Sequence, residues 1–242
     1  MISSSLRFFS NCAYREFSSE KHSDTVVIFF HGFPADSGKN EDIAEQISVA
    51  FGFSTYIFEY SGLGNSSGDF SLSNSIKESE SFIKYIITSK KIQRLVVVGH
   101  SWGGLVAINL IEKIPEISEA ILLAPLVLLP EEETAKITLL EFISYEKEIR
   151  KKQYCIEQLM EEFYFIKRNC SPLQKLTPIT KRNMKIAIIQ GNADDVCPVS
   201  GAIELQQKIG ASAKLIRISA GHWFENRIQL MAAVKGILGS KL

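Results

Sequence analysis

An excess of either charge is missing from this chain, in which 27 Lys and Arg residues offset 27 Asp and Glu residues among 242. Without a field of one sign, nothing in the sequence would draw nucleic acid or an anionic membrane surface to it. A small-molecule partner is the expectation that remains. Long apolar runs are missing too: Val26–Phe30 and Ala120–Leu129 fall well short of the roughly 20 residues a membrane-spanning helix needs. Cysteine is scarce, and Cys12, Cys155, Cys170 and Cys197 lack the paired spacing of a metal site. Reduced thiols are therefore expected rather than a disulfide framework or zinc. Repeats, low-complexity tracts and linkers are equally absent. With 45% hydrophobic residues, the chain is expected to bury one core in a single domain spanning residues 1–242.

The amino-terminal stretch from Met1 to Arg15 is Ser-rich, carries Arg7 and Arg15, and has no acid before Glu16. Those features suit an organellar transit peptide. They also suit a β-hairpin, with Leu6–Phe9 and Ala13–Phe17 as strands around the turn-prone Ser10 and Asn11. The hairpin reading implies a cytoplasmic protein.

What the chain does have is alternation. Thr25–Phe30, Ser54–Phe58, Leu95–Val98, Ala120–Leu123, Lys185–Gln190 and Lys214–Ile218 read as short buried strands. Asn40–Phe51, Ser73–Ser89, Trp102–Ile114 and Ser200–Ile209 carry helical spacing between them. Strand and helix in turn predict the α/β class, with a mostly parallel sheet flanked by helices. Residues 131–168 break the rhythm, being dense in Glu, Lys, Leu, Ile and Phe with no convincing strand. This interval is expected to be a helical insertion, either packed on the sheet or lying as a cap over a pocket. Its charged runs are expected to be solvated faces.

The most specific chemical signal is Gly99-His100-Ser101-Trp102-Gly103-Gly104, between an apolar strand and a helix. It fits the Gly-x-Ser-x-Gly turn that exposes a serine hydroxyl at the start of a helix. Glycines are needed because the turn is sharp and brings neighbouring backbone close. The helix amino terminus then offers free N–H groups to negative charge. His31-Gly32-Phe33-Pro34 follows an earlier strand, Gly191-Asn192-Ala193-Asp194-Asp195-Val196-Cys197-Pro198 a later one, and Gly221-His222-Trp223-Phe224 the last.

Over nearly its whole length the sequence resembles the α/β-hydrolase superfamily, within it the small serine esterases and serine aminopeptidase-like hydrolases. The resemblance implies an α/β-hydrolase fold and a triad of Ser101, Asp194 and His222, whose order suits the fold. In similar proteins the acid stands three residues after the glycine and four before the proline, which selects Asp194 over Asp195. The backbone N–H groups of Phe33 and Trp102 are implied as oxyanion donors, while His31 and His100 take roles in local packing and hydrogen bonding and His22 lies in a polar loop. Glu59-Tyr60-Ser61-Gly62-Leu63-Gly64-Asn65-Ser66-Ser67-Gly68 looks like the Asp-x-x-Gly-x-Gly-x-Ser loop of these proteins, with Glu59 in place of the usual aspartate.

Phe33, Trp102, Trp223 and Phe224 flank the motifs and are expected either to present apolar surface to an acyl group or to pack in the core. Carboxylic-ester hydrolysis through an acyl-enzyme, with no cofactor and no metal, is the first expectation. Thioester or aminoacyl-amide cleavage and a non-catalytic binding role stay open. A dehalogenase or epoxide hydrolase is disfavoured, because those relatives place Asp where this chain has Ser101.

Overall fold

Thr25–Phe30 reads Thr-Val-Val-Ile-Phe-Phe, and every residue after the threonine is buried, as a strand covered on both faces requires. The computed structural model describes residues 2–19, 23–34, 40–176, 179, 182 and 184–239. His22 lies outside them. In it this segment is β3 of an eight-stranded sheet. The other strands are β1 (Ile2–Phe9), β2 (Cys12–Ser19), β4 (Ser54–Phe58), β5 (Arg94–His100), β6 (Ile117–Leu123), β7 (Lys185–Gly191) and β8 (Ala213–Ile218). Their spatial order is β1-β2-β4-β3-β5-β6-β7-β8. From β4 to β8 every neighbouring pair is parallel.

The first two strands form an antiparallel hairpin turned at Ser10 and Asn11, with Phe9 opposite Cys12. Ser10 takes a positive φ of 54°, in keeping with a tight two-residue turn. The hairpin is longer than the sequence suggested, and β2 adds antiparallel to β4, extending the sheet.

Alternate residues of each strand face opposite sides, and helices cover both. Val27, Phe29 and Val98 pack with Ile43 and Ile47 of α1 (Glu41–Phe51) and with Leu230 and Val234 of α7 (Arg227–Gly239). Ile28, Val97 and Leu122 pack on the other side with α2 (Leu72–Ser89), α3 (Trp102–Lys113) and α6 (Val199–Ile209). Residues Trp102 through Ile111 of α3 are all buried, as befits a helix hydrophobic on every side.

Between β6 and β7 the 131–168 interval forms α4 (Glu132–Ile149) and α5 (Ile156–Asn169). Leu139, Phe142, Phe163 and Ile166 bury their side chains in the same cluster as α2 and α3. Several of its charges are tied down rather than solvated. Glu162 accepts from the Leu72 N–H at 2.7 Å and the Ser71 hydroxyl at 2.9 Å, so a carboxylate sits at the amino end of α2. Arg150 and Lys152 donate to the Gly62 carbonyl at 2.9 and 3.2 Å. No described helix is long and apolar enough to cross a membrane.

Candidate active site

Strand β5 ends at His100, and the chain turns into α3 through Ser101, whose φ of 54° and ψ of −115° lie where non-glycine residues are strained. The strain is held from both sides. Ser101 N–H donates to the Leu123 carbonyl at 3.0 Å, and the Ser101 carbonyl accepts from Leu126 N–H at 2.9 Å. The turn has no room for side chains: a Cβ at Gly99 would overlap the Gly103 carbonyl, and one at Gly103 the Phe30 carbonyl.

The loop after β3 runs against this turn, since a Cβ at Gly32 would lie 3.3 Å from that of Ser101. Among the described residues, neither the Phe33 N–H nor the Trp102 N–H has a hydrogen-bond partner. The Trp102 group is one of the orphan donors that open any helix.

The loop that carries Asp194 and Asp195 follows β7. Asp194 is buried and Asp195 exposed. The Asp194 Oδ1 accepts from the backbone N–H groups of Val196 (3.0 Å) and Cys197 (2.7 Å), and Oδ2 accepts from Gln190 Nε2 at 2.8 Å. His222 Nδ1 approaches both oxygens, at 3.1 and 3.0 Å. Burial pushes the Asp194 carboxyl up, but the hydrogen bonds from His222 and Cys197 outweigh it and hold the group below the usual carboxylate range. With Nδ1 bonded to a carboxylate, the proton of neutral His222 sits on Nδ1 and the Nε2 lone pair is free.

Ser101 Oγ rests 3.9 Å from Cys197 Sγ. Among the described residues no hydrogen bond joins it to His222. Such contacts are often loose without substrate and tighten on binding. Burial, with the Asp194 charge behind it, pushes the Cys197 thiol up to about 12, so it stays protonated at neutral pH.

His100 fastens the loop that carries His222, its Nε2–H donating to the His222 carbonyl at 3.0 Å. Burial, reinforced by repulsion from His222, lowers its pKa to about 4. An unfolded histidine takes its proton near pH 6.5, whereas folded His100 takes it only near 4. Between those values the unfolded state binds more protons, so stability falls as the pH drops from about 6.5 toward 4. Urea midpoints of the wild type should decline across that window, while those of His100→Gln should stay flatter. Asp194 does not contribute in this window, because its depressed pKa loses stability only below the unfolded carboxylate value of about 4.

A cavity of about 370 Å³ opens beside Ser101, lined by Phe33, Trp102, Leu139, Phe163, Val196 and Pro198, with Thr134 and Thr138 of α4 at its side. That size and mainly apolar lining are typical of a small-molecule site. Phe33 stacks on Phe70 (centroids 4.5 Å) and meets Phe142 of α4 at 4.9 Å, while the Trp102 indole donates to Ser75 Oγ at 3.1 Å. Trp223, expected among the candidate pocket residues, does not line this cavity. Its indole is 40% exposed and packs edge-on against His222, because the chain after Gly221 points it outward. Phe224 is 1% exposed and belongs to the core under α7. A larger cavity of about 450 Å³, between β6–β8 and α7 at the opposite strand ends, has among the described residues charges only in Glu119, Lys185 and Lys214 and no nucleophile with an acid and base.

The Glu59 carboxylate accepts from the backbone and side-chain N–H groups of Asn65, closing the glycine loop. The longer glutamate therefore serves as a turn brace. Gln190 was not anticipated as a site residue, although a lone amide ending the apolar run of β7 was a visible signal.

Comparison with known proteins places these features in context. The family model described as serine aminopeptidase, S33, matches residues 21–154. A search of curated proteins found no match. Among solved structures, Est1E from Butyrivibrio proteoclasticus with ferulic acid bound is 16% identical, with a TM-score of 0.72 and 94% of each chain covered. A Pyrococcus furiosus esterase is 17% identical, with a TM-score of 0.71 over 99% of this chain and 90% of the other. A Paleococcus ferrophilus monoacylglycerol lipase is 19% identical, with a TM-score of 0.70 over 97% and 98%. At such identities the likeness speaks for a shared α/β-hydrolase fold.

Proposed function

Since the chain belongs to the serine aminopeptidase S33 family of α/β-hydrolases, we propose that it is a serine hydrolase cleaving carboxylic esters of small or medium acyl or aryl-acyl groups. The observation that carries this reading is the buried Asp194–His222 pair at the strand ends where the Ser101 turn and two unpaired N–H groups also lie. The helices α4 and α5 form a cap over the cavity.

In this mechanism a side-chain rotation takes Ser101 Oγ from Cys197 to His222 Nε2, which accepts its proton as Oγ attacks the ester carbonyl. The carbonyl oxygen becomes an oxyanion that receives the N–H groups of Phe33 and Trp102, aided by the positive end of α3. Losing one such donor costs on the order of a hundredfold to a thousandfold in rate. His222 then gives its proton to the leaving alcohol, producing an acyl-enzyme. Water activated by the same imidazole releases the acid. Asp194 keeps the ring oriented and stabilises the imidazolium.

An ester fits this cavity better than a peptide with a free amino terminus. A substrate ammonium needs a buried carboxylate, and among the described residues the one carboxylate lining the cavity, Glu131, is 91% exposed and near Lys167 at 3.9 Å. Rates for p-nitrophenyl esters of increasing chain length, matched thioesters and aminoacyl amides test the reading. Esters should turn over fastest, with an optimum at small or medium acyl groups. Faster amide or thioester cleavage, or no turnover of any ester, would overturn it.

A further inference from the structure

We propose that Gln190 is a positioning residue for the acid, its side-chain amide holding the Asp194 carboxylate against His222. The inference rests on the Ser101, Asp194 and His222 reading above. Gln190 is 1% exposed near the end of β7, where Ile186, Ile188 and Ile189 are buried apolar residues. Burying a flexible amide there costs side-chain entropy and desolvation that an apolar residue would not incur. What offsets the cost is a pair of hydrogen bonds. Nε2 donates to Asp194 Oδ2 at 2.8 Å and to the Cys197 carbonyl at 3.0 Å. The amide can sit only this way round, because reversing it would aim its oxygen at a carboxylate and a carbonyl, both pure acceptors.

The two bonds tie β7 to both ends of the acid loop. Asp194 Oδ1 accepts from two backbone N–H groups, whereas among the described residues Oδ2 is held by Gln190 and by His222, whose Nδ1 reaches both oxygens. Without the amide the carboxylate can pivot about its Oδ1 contacts and leave the imidazole. Whenever it does face His222, its charge is no longer shared with the amide, so the ring there is more basic than in the wild type. Gln190 does not line the cavity beside Ser101, so substrate binding should not sense it.

The test uses ester hydrolysis by Gln190→Met, which keeps the length and removes the donor, in the wild-type and Asp194→Ala backgrounds. In the wild type kcat should fall roughly tenfold to a hundredfold, the range of one hydrogen bond to a charged group. KM should hold, and the acidic limb of kcat/KM should move to higher pH. In Asp194→Ala the same substitution should change little. A wild-type kcat and an unmoved limb in Gln190→Met, or an equal loss in both backgrounds, overturns the proposal. Full activity in Asp194→Ala alone would overturn the underlying triad instead. Should Gln190→Met not fold, Gln190→Glu serves: its neutral acid can donate to Asp194 and its ionised form repels it, so activity should fall with rising pH where the wild type rises. A wild-type pH profile in that variant overturns the proposal.

Discussion

Replacing Ser101 with alanine should lower kcat for the best ester by on the order of a millionfold while leaving the fold intact. The substitution removes the hydroxyl and nothing else of consequence. Alanine meets the same positive φ with a Cβ already accommodated, and the backbone bonds to Leu123 and Leu126 do not involve the side chain. The neighbouring Cys197 cannot take over, because a thiol pushed up to about 12 is almost wholly protonated near neutrality. The Phe33 and Trp102 N–H groups would persist, so a small residual rate above water is expected from carbonyl polarisation alone. A stopped-flow burst of p-nitrophenol should disappear, while a non-hydrolysable ester analogue should bind as before. A Ser101→Ala protein within tenfold of the wild-type rate would sink the nucleophile assignment. A wild type that binds the analogue and turns over nothing would favour a binding role for the fold.

The sheet was legible because its parallel strands are buried on both faces and so appear as near-continuous apolar runs such as Thr25–Phe30 and Lys185–Gln190. The extent of the hairpin was harder to see. In β1, Ser3, Ser4 and Ser5 are weak strand formers on an exposed edge, held by pairing with β2 rather than by propensity. Helix α7 was not foreseen, since Gly236 and Gly239 interrupt a pattern whose Leu230, Met231, Val234 and Leu238 are nonetheless buried. Candidate nucleophile, acid and base were legible from motif and order. The Trp223 placement was not, because which way a side chain leaves a loop depends on the turn at Gly221, not on neighbours in sequence. His100 acts on His222, 122 residues away, and Gln190 reaches Asp194 and Cys197 only because the loop after β7 folds back on the strand, so only the folded arrangement reveals what they hold.

The paired aspartates give the second large effect. Asp194→Asn should reduce kcat on the order of ten-thousandfold, and Asp195→Asn should leave it within about twofold. The reason lies in which atoms surround the carboxylate. Val196 and Cys197 N–H groups require an oxygen at Oδ1, which forces the amide nitrogen of the asparagine into the Oδ2 position. There it would face Gln190 Nε2 and His222 Nδ1, donor against donor. The imidazole loses its Oδ2 acceptor and keeps only Oδ1 at 3.1 Å, which already accepts from two backbone N–H groups, so moving its proton to Nε2 and accepting from the new amide at Nδ1 becomes favoured. In that tautomer Nε2 has no lone pair for the Ser101 proton, so the base is lost with little change in shape. Asp195 is exposed and makes none of these hydrogen bonds, so its replacement removes only a surface charge. KM should barely change in either variant, since neither residue lines the cavity. A large loss in Asp195→Asn with an active Asp194→Asn would reassign the acid. Parity between the two variants would remove the requirement for a buried carboxylate behind His222.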